Sequence, residues 1–256
     1  MSEEIIDTHS AEPSTQPLKR SLGRRIWRFL WKSALWFFGV TVFIVILFRW
    51  VPVPITPLMV IRSVEYKMDD KEVKFQKKWK PLEELSPHLQ LAVVCTEDQN
   101  FLWHYGIDFG ALEKAMDNRE GRKRRRGAST ISQQVAKNVF LWNGRNYVRK
   151  GLEVYFTLLI ETFWSKERIM EVYLNVAEMG TGIYGAEAAA QAYWKRSAAK
   201  LTREQAATLA SVLPNPRKYN AKRPGPYVQR RINWTLQQMR FWGGRLDYDR
   251  EKRVRK

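Results

Sequence analysis

The chain has 256 residues, 45% of them hydrophobic, and its 44 Lys and Arg residues against 26 Asp and Glu residues give a formal net charge of +18. This composition excludes a wholly disordered chain, since it supplies enough apolar side chains to bury a core, and the single cysteine excludes a disulfide framework and a CxxC-type zinc site. The positive charge requires an anionic partner, and composition alone leaves three classes open: nucleic acid, a lipid surface or a phosphate-bearing substrate.

An apolar run near the N-terminus predicts a transmembrane helix over residues 33–53. Residues 34–48 carry no charge, and with their neighbours they provide about 20 residues, or roughly 30 Å of helix, which matches a bilayer core. A buried core helix is the weaker interpretation because the run is apolar on every face. The long segment before it and the lack of an A-x-A site after it favour an uncleaved anchor over a signal peptide.

The charges on either side of this run predict its orientation. Six Lys and Arg residues lie in residues 19–32, whereas residues 51–60 carry no charge. The positive-inside rule therefore places the N-terminus in the cytoplasm and the rest of the chain across the membrane. The predicted division is a cytoplasmic basic tail (1–32), the transmembrane helix (33–53), a membrane-proximal linker (54–79), an exported domain (80–243) and a basic C-terminal tail (244–256).

The exported domain is predicted to be mainly α-helical, with no long alternating strand pattern and no internal repeat. Its helix starts are marked by capping residues or by the onset of apolar residues at helical spacing. Cys95 falls in an apolar stretch and is predicted to be a small core residue. The predicted helices begin at Ser86, an N-cap before Pro87; at Ser129, an N-cap; at Val148; at Ser165, ending near Gly180; at Thr202, a capping box with Gln205; and at about Tyr227, ending near Gly243.

Several short motifs match functional patterns but lack the context that those patterns need. Residues 180–185 match GxGxxG, yet a predicted helix precedes them, so we interpret them as a helix C-cap and a tight helix–helix turn. Ser197 and Lys200 match SxxK by chance, since no KTG follows, and the three scattered histidines predict no metal site. The basic run 122–126 is typical of nucleic-acid patches, but export favours a solvated loop or one near anionic headgroups.

Three segments place charged and polar side chains where packing does not require them. Each pattern alone is more typical of a solvated surface. Together, two carboxylates and several cations beside glycine-containing turns indicate glycosyl chemistry on a phosphate-bearing donor. The residues are Glu97 and Asp98 at the end of the first predicted helix; Thr130, Gln134 and Lys137 on one polar face of the second, which follows Gly127; and Lys150 and Glu153, one turn apart.

Five sequence segments resemble, in order and spacing, the motifs of the peptidoglycan glycosyltransferase family (glycosyltransferase family 51). The resemblance covers residues 80–220, and it departs from many relatives at Ala128, where they have glycine. With one anchor and no transpeptidase domain, the chain resembles the monofunctional members. The segments are EDQNFLWH (97–104), RGASTISQQVAKN (126–138), RKGLE (149–153), KERIMEVYLNVAEMG (166–180) and LPNPRKYN (213–220).

The resemblance implies a mainly α, lysozyme-like fold with two lobes around a cleft, the smaller lobe against the membrane, behind a single N-terminal transmembrane helix. It implies that lipid II is polymerised into β-1,4-linked glycan with release of undecaprenyl diphosphate, on the periplasmic side of a bacterial inner membrane. The implied partners are lipid II, the growing glycan chain and inner-membrane lipids, and nucleic acid is excluded. Whether a divalent cation or other cell-wall proteins take part stays open.

By motif position, the resemblance implies that Glu97 is the general base, taking the proton from the acceptor GlcNAc 4-hydroxyl. Glu153 would orient the reaction centre or assist at the donor phosphate. Because a diphosphate leaves as an anion, cations replace the acid that a glycoside hydrolase needs, and attack opposite the leaving group inverts an α-linked donor. The implied substrate-binding residues are Asp98, Phe101, His104, Ser129, Thr130, Gln134, Lys137, Arg145 and Lys150.

Two other functions fit parts of the sequence. A lytic, lysozyme-like hydrolase acting on finished glycan would need no cationic clamp for a diphosphate. A membrane-anchored basic module without enzymatic activity would bind anionic polymers through residues 122–126, and this binding would survive the loss of Glu97 and Glu153.

Overall fold

The structure is a computed structural model, and it describes residues 22–69, 75–117, 129–144 and 146–249. Helices dominate these residues, which confirms the predicted mainly α fold. The chain divides into two compact units, Met1–Phe43 and Ile44–Lys256. The helices are α1 (Leu22–Leu47), α2 (Pro57–Met68), α3 (Pro87–Glu97), α4 (Phe109–Asp117), α5 (Ile131–Phe140), α6 (Tyr147–Phe163), α7 (Lys166–Val176), α8 (Ala186–Trp194), α9 (Arg203–Val212) and α10 (Pro226–Phe241).

Helix α1 is long and apolar enough to cross a membrane, and no other helix in the described part of the chain meets that test. It begins well before the predicted span, because the basic segment that precedes the apolar run is also helical. It ends at Leu47, where the prediction continued to residue 53. Pro52 and Pro54 account for the earlier end, since each proline disfavours the helical conformation of the residue before it.

The second unit is built on closely packed helix pairs. Helix α3 packs against α9 and α10, and α5 packs against α6 and α7. Every side chain of α3 from Leu89 to Cys95 is buried, so this helix forms the centre of the core. The prediction that Cys95 is a core residue is confirmed, and burial raises the pKa of its thiol to about 12.

The predicted cap positions agree with the structure at three helices and differ at a fourth. Ser86, Ser165 and Thr202 are the N-caps of α3, α7 and α9, although the Ser86 side chain makes no capping hydrogen bond. Pro87 occupies the first turn of α3, and Thr202 forms the predicted capping box with Gln205. The prediction that Ser129 caps α5 is wrong, because Thr130 is the N-cap. The Thr130 side chain accepts from the Gln133 amide at 3.1 Å and the Gln133 side chain accepts from the Thr130 amide at 3.2 Å, a reciprocal pair that needs Gln three positions after the cap.

A small three-stranded sheet was not predicted. Its strands are β1 (Gln76–Lys77), β2 (Glu178–Gly180) and β3 (Ile183–Tyr184), in the order β1-β3-β2, with β1 parallel and β2 antiparallel to β3. Residues 180–185 therefore belong to a β-hairpin and are neither a helix C-cap nor a helix–helix turn. Helix α7 ends at Val176, before the predicted end. Gly185 has φ 83°, and a Cβ there would lie 2.8 Å from the Asn175 carbonyl oxygen. Strands of two or three residues are too short for alternation to identify.

The rest of the chain comprises short 3₁₀ helices, the segment that follows α1 and the residues that the structure does not describe. Two short 3₁₀ helices, Leu82–Glu84 and Ala198–Lys200, lie before α3 and before α9. Residues 54–79, predicted as a membrane-proximal linker, contain α2 and β1. The basic run 122–126, Ala128, the first 21 residues and the C-terminal residues 250–256 lie outside the described residues.

Candidate active site

A cleft with a volume of about 720 Å³ opens beside helices α5 and α6. Five of the predicted site residues line it, whereas Arg145 lies outside the described residues. Helix α5 contributes one wall, α6 and the loop before it contribute another, and α2 reaches the cleft with a single side chain. The lining residues are Glu65, Ser129, Gln133, Gln134, Lys137, Asn143, Gly144, Arg149, Lys150 and Glu153.

A buried carboxylate holds two cations at the α6 side of the cleft. Glu153 is only 4% exposed, and its two carboxylate oxygens pair with Arg149, at 2.7 Å, and with Lys150. The Arg149 Nε is also buried and has no hydrogen-bond partner within the described part of the chain. Glu153 therefore orients cations that retain unused donors, which suits the binding of an anion.

Lys137 adds a third cation from α5. Burial lowers the pKa of its ammonium below the usual 10.5; Glu153 opposes this decrease, whereas the charges of Arg149 and Lys150 reinforce it. Three cations that repel one another around one cleft raise each other's affinity for an anionic ligand. The cleft therefore fits a phosphate or diphosphate group.

Glu97 ends helix α3 and contacts the cleft through Gln134, whose Nε2 donates to Glu97 Oε2 at 3.0 Å. Burial raises the pKa of the Glu97 carboxyl, and the neighbouring Asp98 raises it further. The hydrogen bond from Gln134 and the charges of Arg231 and Lys137 oppose this increase. A carboxylate with a raised pKa accepts a proton more readily than an exposed one, as a general base requires.

Asp98 and His104 make contacts inside the protein. Asp98 Oδ2 accepts from the Ile131 amide at 2.9 Å, at the first residue of α5, and His104 Nε2 lies 2.9 Å from both Asp98 carboxylate oxygens. The Gly106 amide donates to His104 Nδ1 at 3.0 Å, so Nδ1 holds the lone pair and the Nε2 hydrogen points to Asp98. This arrangement connects the segment that carries Glu97 to the N-terminus of α5.

Phe101 and Thr130 are also buried away from the cleft. Phe101 is fully buried, and the Thr130 hydroxyl donates to the Gly106 carbonyl oxygen at 2.6 Å. Thr130 therefore holds α5 in place. That these two residues, Asp98 and His104 contact substrate stays a prediction from the family motifs.

A network of buried charged side chains contacts the loop that carries Phe101 and His104. Lys166, at the start of α7, is 1% exposed; its Nζ donates to the His104 carbonyl oxygen at 2.7 Å and to Glu161 Oε1 at 2.8 Å. The same ammonium lies 4.8 Å from the centre of the Phe101 ring, and the Ser132 hydroxyl donates to Glu161. This network joins α5, α6 and α7 to the loop that carries His104.

The predicted set of site residues omitted several that the structure places at the cleft or beside Glu97. Arg149 could have been identified, because it stands four residues before Glu153, the spacing of an ion pair on one helix face. Glu65 and Arg231 come from α2 and α10, far from the motifs in sequence, so only tertiary packing brings them near. Among the described residues, no group of three or more His, Cys, Asp or Glu side chains could hold a metal ion.

The sequence matches the family described as Transglycosylase over residues 65–240. It is 55% identical over 216 residues to the biosynthetic peptidoglycan transglycosylase of Bdellovibrio bacteriovorus. This alignment covers 83% of this chain and 86% of that protein. The proteins of the same name from Pseudomonas aeruginosa and Pseudomonas syringae pv. syringae are 50% and 51% identical. These two alignments cover 88% and 83% of this chain, and 95% and 90% of the respective relatives.

Proposed function

This chain belongs to the transglycosylase family and is a peptidoglycan glycosyltransferase of cell-wall synthesis. We propose that it polymerises lipid II at the cleft between α5 and α6. The observation that carries the assignment of the site is the position of Glu97 beside a cleft that collects three cations, Lys137, Arg149 and Lys150. A base and an anion site side by side are what transfer from a diphosphate-linked sugar requires.

The reaction follows from the charges around the cleft. The 4-hydroxyl oxygen of the acceptor sugar attacks C1 of the donor sugar, and the bond from C1 to the diphosphate oxygen breaks. The hydroxyl proton passes to Glu97, and the lipid diphosphate leaves with the bonding electron pair. Lys137, Arg149 and Lys150 stabilise the charge that develops on the leaving oxygen, so no carboxylic acid is needed there. Glu153 holds two of these cations in position.

Labelled lipid II, incubated with the full chain in detergent and resolved on a gel, tests this proposal. Glycan products of increasing length are expected. Release of small fragments from finished peptidoglycan, with no growth from lipid II, would instead identify the lytic hydrolase, which the family and the cationic cleft do not favour. A parallel reaction with a chelator shows whether a divalent cation assists.

Replacing Lys137 with Arg is expected to remove the alkaline fall of activity. Because burial lowers the pKa of Lys137, its positive charge is lost as the pH rises through a value below the ordinary 10.5, and kcat/KM falls with it. Arginine keeps its proton throughout this range. The measurement is kcat/KM against pH for wild type, Lys137→Arg and the surface control Lys222→Arg, an exposed lysine outside the five motifs. An alkaline limb that is identical in all three would show that Lys137 does not set it.

We further infer that helix α1 anchors the chain in the bacterial inner membrane with its N-terminus in the cytoplasm and residues 80–243 in the periplasm as the catalytic domain. The cations in residues 24–32, against the uncharged residues 51–60, support this orientation. A reporter enzyme that is active only in the periplasm, fused after the C-terminus, is expected to be active, and the same reporter fused before Leu22 is expected to be inactive. The reverse pattern would contradict the inferred topology.

A further inference from the structure

A buried tyrosine lies behind the candidate general base. Tyr173 on α7 is 1% exposed, and its hydroxyl donates to Gln134 Oε1 at 3.3 Å. The other end of the same amide, Gln134 Nε2, donates to Glu97 Oε2 at 3.0 Å. A continuous chain of hydrogen bonds therefore runs from α7 through α5 to the carboxylate at the end of α3. Tyr173 itself does not line the cleft.

The orientation of the Gln134 amide decides whether it stabilises or destabilises the ionised form of Glu97. With the nitrogen toward Glu97, the amide donates to the carboxylate and stabilises its charge. With the oxygen toward Glu97, two acceptors would face each other and the ionised carboxylate would be disfavoured. Glu97 and the hydroxyl at the far end of Gln134 both favour the first orientation, so that hydroxyl contributes to the control of the choice.

Tyr173 is suited to that control because its hydroxyl keeps its proton. Burial raises the pKa of Tyr173 well above 10, and the negative charges of Glu97 and Asp98 raise it further. The proton of the hydroxyl can be donated to an amide oxygen but not to an amide NH₂ group. In the reverse orientation the NH₂ group could donate to the phenol oxygen, but the buried hydroxyl proton would then lose the Gln134 oxygen that accepts it. The hydroxyl therefore favours the orientation in which the nitrogen points to Glu97.

We propose that Tyr173 is a positioning residue for glycosyl transfer, whose hydroxyl fixes the Gln134 amide so that its nitrogen stabilises the ionised form of Glu97. This inference rests on the proposed role of Glu97 as the general base. The groups around Glu97 show why the amide matters. Burial and Asp98 oppose ionisation, while Gln134, Arg231 and Lys137 favour it, and the hydrogen bond from Gln134 is the largest of the favourable contributions.

Tyr173→Phe tests the proposal, because it removes only the hydroxyl and keeps the ring that packs in the core. The freed amide turns part of the time and donates less to Glu97, so the acid limb of kcat/KM is expected to move up by about one pH unit. Below neutral pH the rate falls, whereas KM for lipid II at alkaline pH stays unchanged because Tyr173 does not touch the cleft. An acid limb that does not move, in a variant that only melts at a lower temperature, would overturn the proposal and leave Tyr173 a packing residue.

A matched control comes from a second buried tyrosine. Tyr184 on β3 is 1% exposed, and its hydroxyl has no hydrogen-bond partner within the described ranges. Tyr184→Phe is therefore expected to leave the acid limb in place. If it moves the limb as much as Tyr173→Phe does, the shift is a general effect of losing a buried hydroxyl, and the proposal fails.

A double-mutant cycle shows whether Tyr173 acts through the amide. In Gln134→Met the amide is gone, so adding Tyr173→Phe is expected to cause no further shift of the acid limb. An additional shift of the same size would contradict the proposed route. Glu97→Gln distinguishes a failure of the general base from a failure of the role of Tyr173. If that variant still makes glycan, the role of Glu97 fails and the inference fails with it; if it is inactive and Tyr173→Phe leaves the limb unmoved, only the inference fails.

Discussion

Replacing Glu97 with Gln is expected to slow glycan polymerisation by about 10²- to 10⁴-fold, the usual contribution of a general base. Glutamine has nearly the same shape and can still accept the hydrogen bond from Gln134, but it cannot take the proton of the attacking hydroxyl. The measurement is the initial rate of chain growth from labelled lipid II. The control is Glu113→Gln, an exposed carboxylate on α4, which is expected to polymerise at the wild-type rate. Wild-type chain growth by Glu97→Gln would remove Glu97 from the mechanism.

The same variant is expected to be more stable than the wild type near neutral pH. Burial raises the pKa of Glu97 in the folded protein above its value in the unfolded chain, so the folded state loses stability as the pH rises through the raised value. Glutamine carries no charge at any pH and avoids this loss. Melting temperatures should therefore differ near pH 7 and converge at acid pH. A lower melting temperature at pH 7 would show that the ionised carboxylate does not destabilise the fold.

Helices were predictable from this sequence wherever a local signal marked them. The capping box at Thr202 and Pro87 in the first turn of α3 act within one turn of helix, so the sequence reveals them directly. The one-residue error at Ser129 has the same origin, because two adjacent hydroxyl residues compete and only Thr130 has a Gln three positions later. The strands were missed because pairing between β1 and β3 joins residues far apart in the chain.

The candidate site was predictable in its motifs but not in the directions of its side chains. Lys137, Lys150 and Glu153 line the cleft, but Thr130, expected on the same polar face as Lys137, is buried against the Gly106 carbonyl oxygen. Asp98 and His104 belong to the same motif as Glu97, yet they turn inward and fix the N-terminus of α5. Which way a side chain points at a helix end depends on tertiary neighbours, which a linear motif does not contain.

Replacing Lys166 with Met is expected to lower the free energy of unfolding by about 3–5 kcal/mol, since it removes one partner of a buried ion pair and leaves the other charge uncompensated. The His104 carbonyl oxygen loses its donor at the same time. The measurement is urea unfolding followed by circular dichroism. Lys200→Met, at an exposed lysine, is the control and is expected to change stability by less than about 0.5 kcal/mol. A loss of that small size in Lys166→Met would show that the buried pair contributes little.

A second substitution separates the effect of the charge from the effect of packing. Adding Glu161→Gln to Lys166→Met removes the uncompensated charge while leaving an oxygen that accepts from Ser132. The double variant is therefore expected to be more stable than Lys166→Met alone, although less stable than the wild type, because the His104 carbonyl oxygen still lacks its donor. Glu161→Gln alone completes the cycle. If the losses of stability in Lys166→Met and Glu161→Gln simply add in the double variant, the ion pair has no coupling energy and Lys166 acts through its packing against Phe101.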